Sequence, residues 1–212
     1  MFNISHNLNK KAQITIVFVD KNFKFLNQAN FFSKKELGQI SLFKNDFGKS
    51  DFLKLDLLEG SKKQKIILYK IKEQSSEYDY QKIGGTVYSE LSKFESANIL
   101  LESEHNIKKN SFLFSSNFLL GFFSRSYNFK NYKLKKDNNS HLLKHLSILS
   151  SEKEKLNKAI KHAKDIFDGI EETRNLVTLP ANILNPKKFV DEINKLKKIG
   201  ISVEILDEKK MK

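Results

Sequence analysis

His141 and His145 stand four residues apart, the spacing that puts two imidazoles on one face of a helix in zinc sites. Leu142 occupies the position where a zincin carries its general-base Glu, and the pair borders a Lys/Asn-rich stretch at 130–139, so both read as surface residues. His6, His105 and His162 are isolated from one another along the chain. Glu171 and Glu172 are adjacent carboxylates, but neighbouring helical residues point about 100° apart, which makes them a solvated face rather than an acid–base pair. Asp46, Asp51 and Asp56 could offer oxygen ligands, yet their spacing is diagnostic of no metal. Gly84-Gly85 falls inside a helical pattern rather than ahead of it, which fits close helix–sheet packing and not a phosphate loop. The chain has no Gly-x-Ser-x-Gly elbow, no Walker loop and no dinucleotide fingerprint. With no Cys there is no disulfide, zinc ribbon, iron–sulfur cluster or thiol nucleophile. No position is assigned a catalytic, metal-binding or cofactor-binding role.

The elements that would position any site are easier to read. The 212 residues are 39% hydrophobic and include 18 Phe, enough apolar area to offset the cost of ordering the backbone. Two Pro and 8 Gly exclude collagen-like and linker-rich architectures. The longest early apolar run, 14–19, is far short of the ~20 residues that span a bilayer, so a soluble, cytoplasmic protein is expected. The net charge of +13 comes almost wholly from Lys, with Arg only at positions 125 and 174. Arg supplies the planar bidentate contacts that read bases, so nucleic acid is expected to bind at most non-specifically.

Near-continuous apolar runs at 14–19, 65–71 and 97–101 read as strands buried on both faces, with weaker strands at 52–57 and 145–149. Tyr80, Ile83, Val87, Leu91 and Phe94 repeat every 3.6 residues and predict a helix over 77–94. The segment 111–124 is apolar nearly all round and reads as a core helix. A long helix over 151–177 opens on a Ser151/Glu154 capping box and carries Leu156, Ala159, Ile160, Ala163, Ile166, Phe167 and Ile170 on one stripe. Asn185 then caps a helix with Pro186 in its first turn and Phe189, Ile193 and Leu196 facing inward. Gly200 ends that helix and 201–206 reads as a strand. A helix–Gly–strand unit of this kind looks like the first piece of another α/β domain.

The run Arg174-Asn175-Leu176-Val177-Thr178-Leu179-Pro180-Ala181-Asn182-Ile183-Leu184-Asn185-Pro186 resembles the junction of the leucyl (cytosol) aminopeptidase family. There a linker helix runs into Arg-Asp-Leu-Val-Asn-x-Pro-x-Asn-x-x-x-Pro at the opening of the catalytic domain. Arg174, Leu176, Val177, Pro180, Asn182 and Pro186 match in register, while Thr178 and Asn175 replace the usual Asn and Asp. Val203-Glu204-Ile205-Leu206-Asp207-Glu208 is similar to the family's Val-Glu-Val-Leu-Asp-Glu. Upstream, Gly121, Tyr127, Phe129, Tyr132 and Lys133 resemble its Gly-x(5)-Tyr-x-Phe-x-x-Tyr-Lys segment, with Lys130 where Asp is common.

The resemblance implies an α/β, three-layer macro-domain-like domain with a mixed sheet over 1–150, a linker helix over 151–177, and the truncated beginning of a peptidase domain over 178–212. It also implies that the full-length enzyme is a hexamer that removes N-terminal residues from peptides with two divalent metal ions, Mn or Zn. The family's Asn-Thr-Asp-Ala-Glu-Gly-Arg ligand motif occurs nowhere in this sequence. This chain itself is therefore expected to be non-catalytic, with a role in scaffolding and assembly. The alternative is a non-enzymatic macro-like module with weak nucleic-acid or nucleotide affinity.

Overall fold

A computed structural model describes residues 3–19, 32–43, 52–59, 62–72, 75–101, 111–129 and 142–211. His105, His141, Asp46, Asp51, Tyr132, Lys133 and the 130–139 stretch lie outside these residues. Contacts divide the chain into two compact units, Met1–Asp168 and Gly169–Lys212. The division falls inside one long helix.

The first unit is built on six strands: β1 (Asn3–Ser5), β2 (Ile14–Val19), β3 (Phe52–Glu59), β4 (Lys62–Lys70), β5 (Ser96–Leu100) and β6 (His145–Leu149). They form one sheet in the order β1-β6-β5-β2-β4-β3. β1, β6, β5, β2 and β4 run parallel, and β3 is antiparallel to β4 at the edge. All six residues of β2 are buried, as its unbroken apolar run requires of a central parallel strand.

Successive side chains on these strands point to opposite faces, so each face has its own core. One face carries Ile14, Ile16, Phe18, Ile67, Ala97, Ile99, Leu146 and Ile148. Against it pack α2 (Glu77–Leu91), α3 (Ser111–Ser126) and, through Leu156, Ala159, Ala163 and Phe167, the start of α4 (Lys153–Thr178). The other face carries Val17, Val19, Leu55, Leu57, Ile66, Leu68, Leu100 and Leu149, with Ile40 of α1 (Lys34–Leu42) among them. The result is a three-layer α/β arrangement around a mixed sheet.

The Phe content concentrates in α3. Phe114, Phe118 and Phe122 are fully buried and recur every four residues along one stripe. Phe18 meets Phe114 and Phe118 edge-on at centroid distances of 5.7 and 5.5 Å, and Tyr88 meets Phe122 the same way at 5.0 Å. Such pairs add about 0.5–1.5 kcal/mol each beyond the area they bury. Among the described residues, no helix is long and apolar enough to cross a membrane.

Gly84 marks a closer approach than helix–sheet packing. A Cβ at Gly84 would fall on the carbonyl oxygen of Phe118 and 2.8 Å from the Phe122 nitrogen. A Cβ at Gly121 would fall on the Gln81 carbonyl and 2.6 Å from the Gln81 Cα. The two glycines let the backbones of α2 and α3 touch, so the expectation of helix–sheet contact is corrected to helix–helix contact. Gly85 has only ordinary contacts, with the Arg125 Cβ and the Gly121 oxygen each at 3.8 Å.

The second unit continues α4 from Gly169 and adds α5 (Pro186–Lys195), a 3-10 turn over Leu196–Ile199 and the short α6 (Glu208–Met211). Asn185 caps α5, its side-chain oxygen accepting from the Lys188 N–H at 3.0 Å, with Pro186 in the first turn. Gly200 ends the turn at φ 87, in the left-handed region that favours glycine. Residues 201–206 join no ladder, correcting the expected strand, because no strand among the described residues lies alongside them. Two boundaries also move. α2 ends at Leu91 rather than Phe94, and α4 starts at Lys153, which puts Glu152 rather than Ser151 at the N-cap position. The Glu152 carbonyl accepts the first helical bond, from the Leu156 N–H at 3.0 Å.

Candidate functional site

Among the described residues, the side chains that could do chemistry do not converge. Asp56 faces Lys65 across the β3–β4 pair, with a 3.6 Å ion pair on the exposed surface. His145 opens β6 with its side chain exposed. His162 is exposed on α4, its ring 5.6 Å from that of Phe112. His6 differs: its Nδ1 is buried without a hydrogen-bond partner. Glu171 is half-buried and Glu172 exposed, consistent with their divergence around the helix. Among the described residues, no group of three or more His, Cys, Asp or Glu could hold a metal ion. The donor set of the described residues does not fit a two-metal centre.

The polar groups that are buried serve the scaffold. Thr15, Asn98 and Ser147 are in register across β2, β5 and β6 on the α1 side of the sheet, and all three are buried. The Asn98 amide nitrogen donates to the Asn9 carbonyl at 3.0 Å and to the Thr15 hydroxyl at 3.3 Å. Its oxygen accepts from the Asn9 N–H at 3.2 Å. One side chain thus pins the loop between β1 and β2 onto the sheet. On the opposite face, Gln81 donates to the Asn117 oxygen at 2.8 Å, joining α2 to α3 beside the glycine contact.

The ionisable groups follow the same pattern. Hydrogen bonds from the Ser76 hydroxyl and N–H in the α2 capping box hold the Asp79 carboxyl below its usual range. Burial pushes the Glu90 carboxyl up, but hydrogen bonds from Lys54 and Lys93 outweigh it and leave it lowered. A hydrogen bond from Lys144 lowers Glu95. Burial against α3 pushes the Tyr88 phenol up to about 12. Each shift comes from a cap, a surface pair or the core, and none assembles an acid beside a base.

The segment 174–186 forms a hydrogen-bonded corner. The Thr178 hydroxyl donates to the Arg174 carbonyl at 2.7 Å, closing the last turn of α4. The Pro180 carbonyl accepts from both the Ile183 and Leu184 N–H groups at 2.9 Å, and Asn185 then starts α5. Proline at 180 cannot continue a helical ladder, and proline at 186 favours a helix start, so the spacing of the two fixes the length of the corner.

The first unit is a three-layer α/β domain around a mixed sheet, and the second unit is helical. No model of a known protein family matches the chain. The probable cytosol aminopeptidase of Brucella anthropi is 33% identical over 214 aligned residues, covering 94% of this chain and 41% of the relative. That of Phytoplasma mali is 31% identical over 179 residues, covering 82% of this chain and 35% of the relative. Among solved structures, a tomato leucine aminopeptidase variant superposes on 100% of this chain with a TM-score of 0.67 at 21% identity, using 45% of its own length. The bottromycin maturation enzyme BotP in complex with Mn matches 89% of this chain at a TM-score of 0.56. The chain belongs to the cytosol (leucyl) aminopeptidase family, and it spans at most about two fifths of the length of these curated relatives.

Proposed function

We propose that this chain is the amino-terminal portion of a cytoplasmic aminopeptidase and that its own role is to scaffold and assemble. Peptide hydrolysis in this reading is carried by the part of the relatives' length that lies outside the match. Two divalent metal ions, Mn or Zn, belong to that part, and the whole enzyme is a homo-oligomer, a hexamer. The single observation that carries the reading is coverage: 94% of this chain aligns with 41% of the Brucella anthropi relative. The dispersed carboxylates and imidazoles of the first unit and the structural use of the 174–186 corner support it.

The test compares two proteins. One is this chain. The other is a chimera in which the chain replaces the matched part of the Brucella anthropi relative. With Mn or Zn and an aminoacyl chromogenic substrate, the chain alone is expected to show no turnover above buffer, and the chimera metal-dependent turnover. Metal-dependent turnover by the repurified chain alone overturns the division of labour. A folded chimera with no turnover overturns the aminopeptidase reading.

A further inference from the structure

The two edges of the first unit's sheet are unlike. β1 is 3 residues long, a length at which an edge offers little to pair with. β3 runs over Phe52–Glu59, and no strand among the described residues lies beyond it. Its faces are sorted by chemistry. Leu53, Leu55 and Leu57 lie with the core on the α1 side, while Phe52, Lys54 and Asp56 alternate onto the α2 side. The Lys54 and Asp56 side chains are 53% and 43% exposed there. Lys54 donates to the Glu90 carboxylate at 2.7 Å, and Asp56 pairs with Lys65 at 3.6 Å. Charges on an edge strand ordinarily guard it against pairing. Here their spacing makes the strand complementary to itself.

We infer that β3 is a self-pairing edge, joining two copies of this chain through an antiparallel β3–β3 ladder about a two-fold axis at Leu55. This rests on the assembling role proposed above, to which it gives a contact. Directly opposite residues of an antiparallel pair share a face, so a two-fold axis normal to the sheet sets one residue against its own copy. Only axes at Leu55 or Asp56 use nearly the whole of Phe52–Glu59. An axis at Asp56 opposes two carboxylates, and one moved to Lys54 opposes two amines, both destabilising. An axis at Leu55 instead sets each Lys54 against Asp56 of the second copy, twice over, and Leu53 against Leu57 on the other face. Each new ion pair extends one already present. Lys65 and Asp56 of one copy continue into Lys54, Glu90 and Lys93 of the other, in alternating sign. A network of this kind counts for more than isolated surface pairs. The occupant is a second copy because the favoured register is written in β3 alone.

Charge reversal on the full chain tests the inference, read by light scattering and segment-resolved hydrogen exchange. The native chain should form a concentration-dependent dimer in which β3 amides slow about tenfold on association. Lys54→Glu opposes two acids at each crossing and Asp56→Lys opposes two amines, so each alone should be a monomer, with circular dichroism verifying the fold. Mixed one to one, the two variants carry opposite charges at both crossings and should recover the dimer. Asp56→Lys spares the Lys54–Glu90 pair and decides alone if Lys54→Glu does not fold. A native chain still monomeric at about 1 mM overturns the inference, because pairing that weak assembles nothing. So does a dimer that protects no β3 amide, or one that a folded variant leaves intact. A mixture of folded variants that stays monomeric overturns the register. Hydrolysis by the chimera is scored separately: a monomeric chain with an active chimera removes the pairing and keeps the functional reading, and a β3-paired dimer with an inactive chimera does the reverse.

Discussion

Replacing Gly84 with Ala tests whether the α2–α3 backbone contact is obligatory. The new methyl carbon would meet the Phe118 carbonyl oxygen and sit 2.8 Å from the Phe122 nitrogen, both of them backbone atoms that cannot rotate aside. The helices must part by roughly 1–1.5 Å to restore ordinary contact, loosening Phe118 and Phe122, both 0% exposed, together with Val87 and Leu91. Overpacking of this kind costs about 1–3 kcal/mol and at a backbone contact lies at the top of that range, while Ala in place of Gly returns about 1 kcal/mol of helix propensity. The net loss is about 2 kcal/mol, or roughly 4–8 °C in Tm for a unit of this size. Gly85→Ala is the matched control. Its methyl meets nothing closer than 3.8 Å, so only the propensity gain remains and stability should hold or rise by up to about 1 kcal/mol. Urea and thermal unfolding of the two variants read the difference. Equal stability of both would refute the close-approach argument.

Asn98→Ala removes the three hydrogen bonds that hold Asn9 and Thr15, and should cost about 1–3 kcal/mol with faster hydrogen exchange confined to 7–11. Acid sensitivity has a defined sign at Glu90: its carboxyl is lowered in the folded state, so its contribution is present above the unfolded value of 4.5 and is lost as pH falls through the folded value. Glu90→Gln should therefore lower stability at neutral pH, leave it little changed at the acid end, and so flatten the acid limb of a stability–pH curve below about pH 4.5. With +13 net charge and Arg at only two positions, binding to two unrelated duplexes should be equally weak and collapse with salt, and a preference above about tenfold for one duplex would contradict this.

The parts of the fold that were legible in the sequence are those fixed by local pattern. β2, β4, β5 and β6 are apolar runs, α2 declares its period, α3 is apolar nearly all round, and α5 is written by Asn185, Pro186 and Gly200 in order. β1 was not legible, because three residues, Asn3 to Ser5, become a strand only through pairing with His145 to Ser147. α1 was missed although its signal was present: Ser33 and Glu36 form a capping box, the Glu36 carboxylate accepting from the Ser33 N–H at 2.7 Å. The partner of Gly84 was illegible because no local pattern tells whether a helix glycine meets a strand or another helix. The 201–206 run erred the other way. Strand composition was real, but a strand exists only with a neighbour to bond. The candidate site follows the same logic: His145 was read as a surface residue and is exposed, as are Asp56 and His162, for which the sequence offered only undiagnostic spacing, while the buried polar row of Thr15, Asn98 and Ser147 carried no signal because its members come from three distant segments.

The placement of β1 beside β6 sets an order of events during synthesis. The residues that pair with Asn3, Ile4 and Ser5 are His145, Leu146 and Ser147, so β1 leaves the ribosome roughly 7–28 s before its one neighbouring strand among the described residues, at about 5–20 residues per second. The antiparallel β3–β4 pair can close early, and β2 can join β4 soon after, but the opposite edge waits for nearly the whole first unit to emerge. Through that interval β1 is an unpaired strand, within reach of a chaperone or of a neighbouring nascent chain. Asn3, Ile4 and Ser5, near the start of the chain, are thus among the last residues of the sheet to find their place.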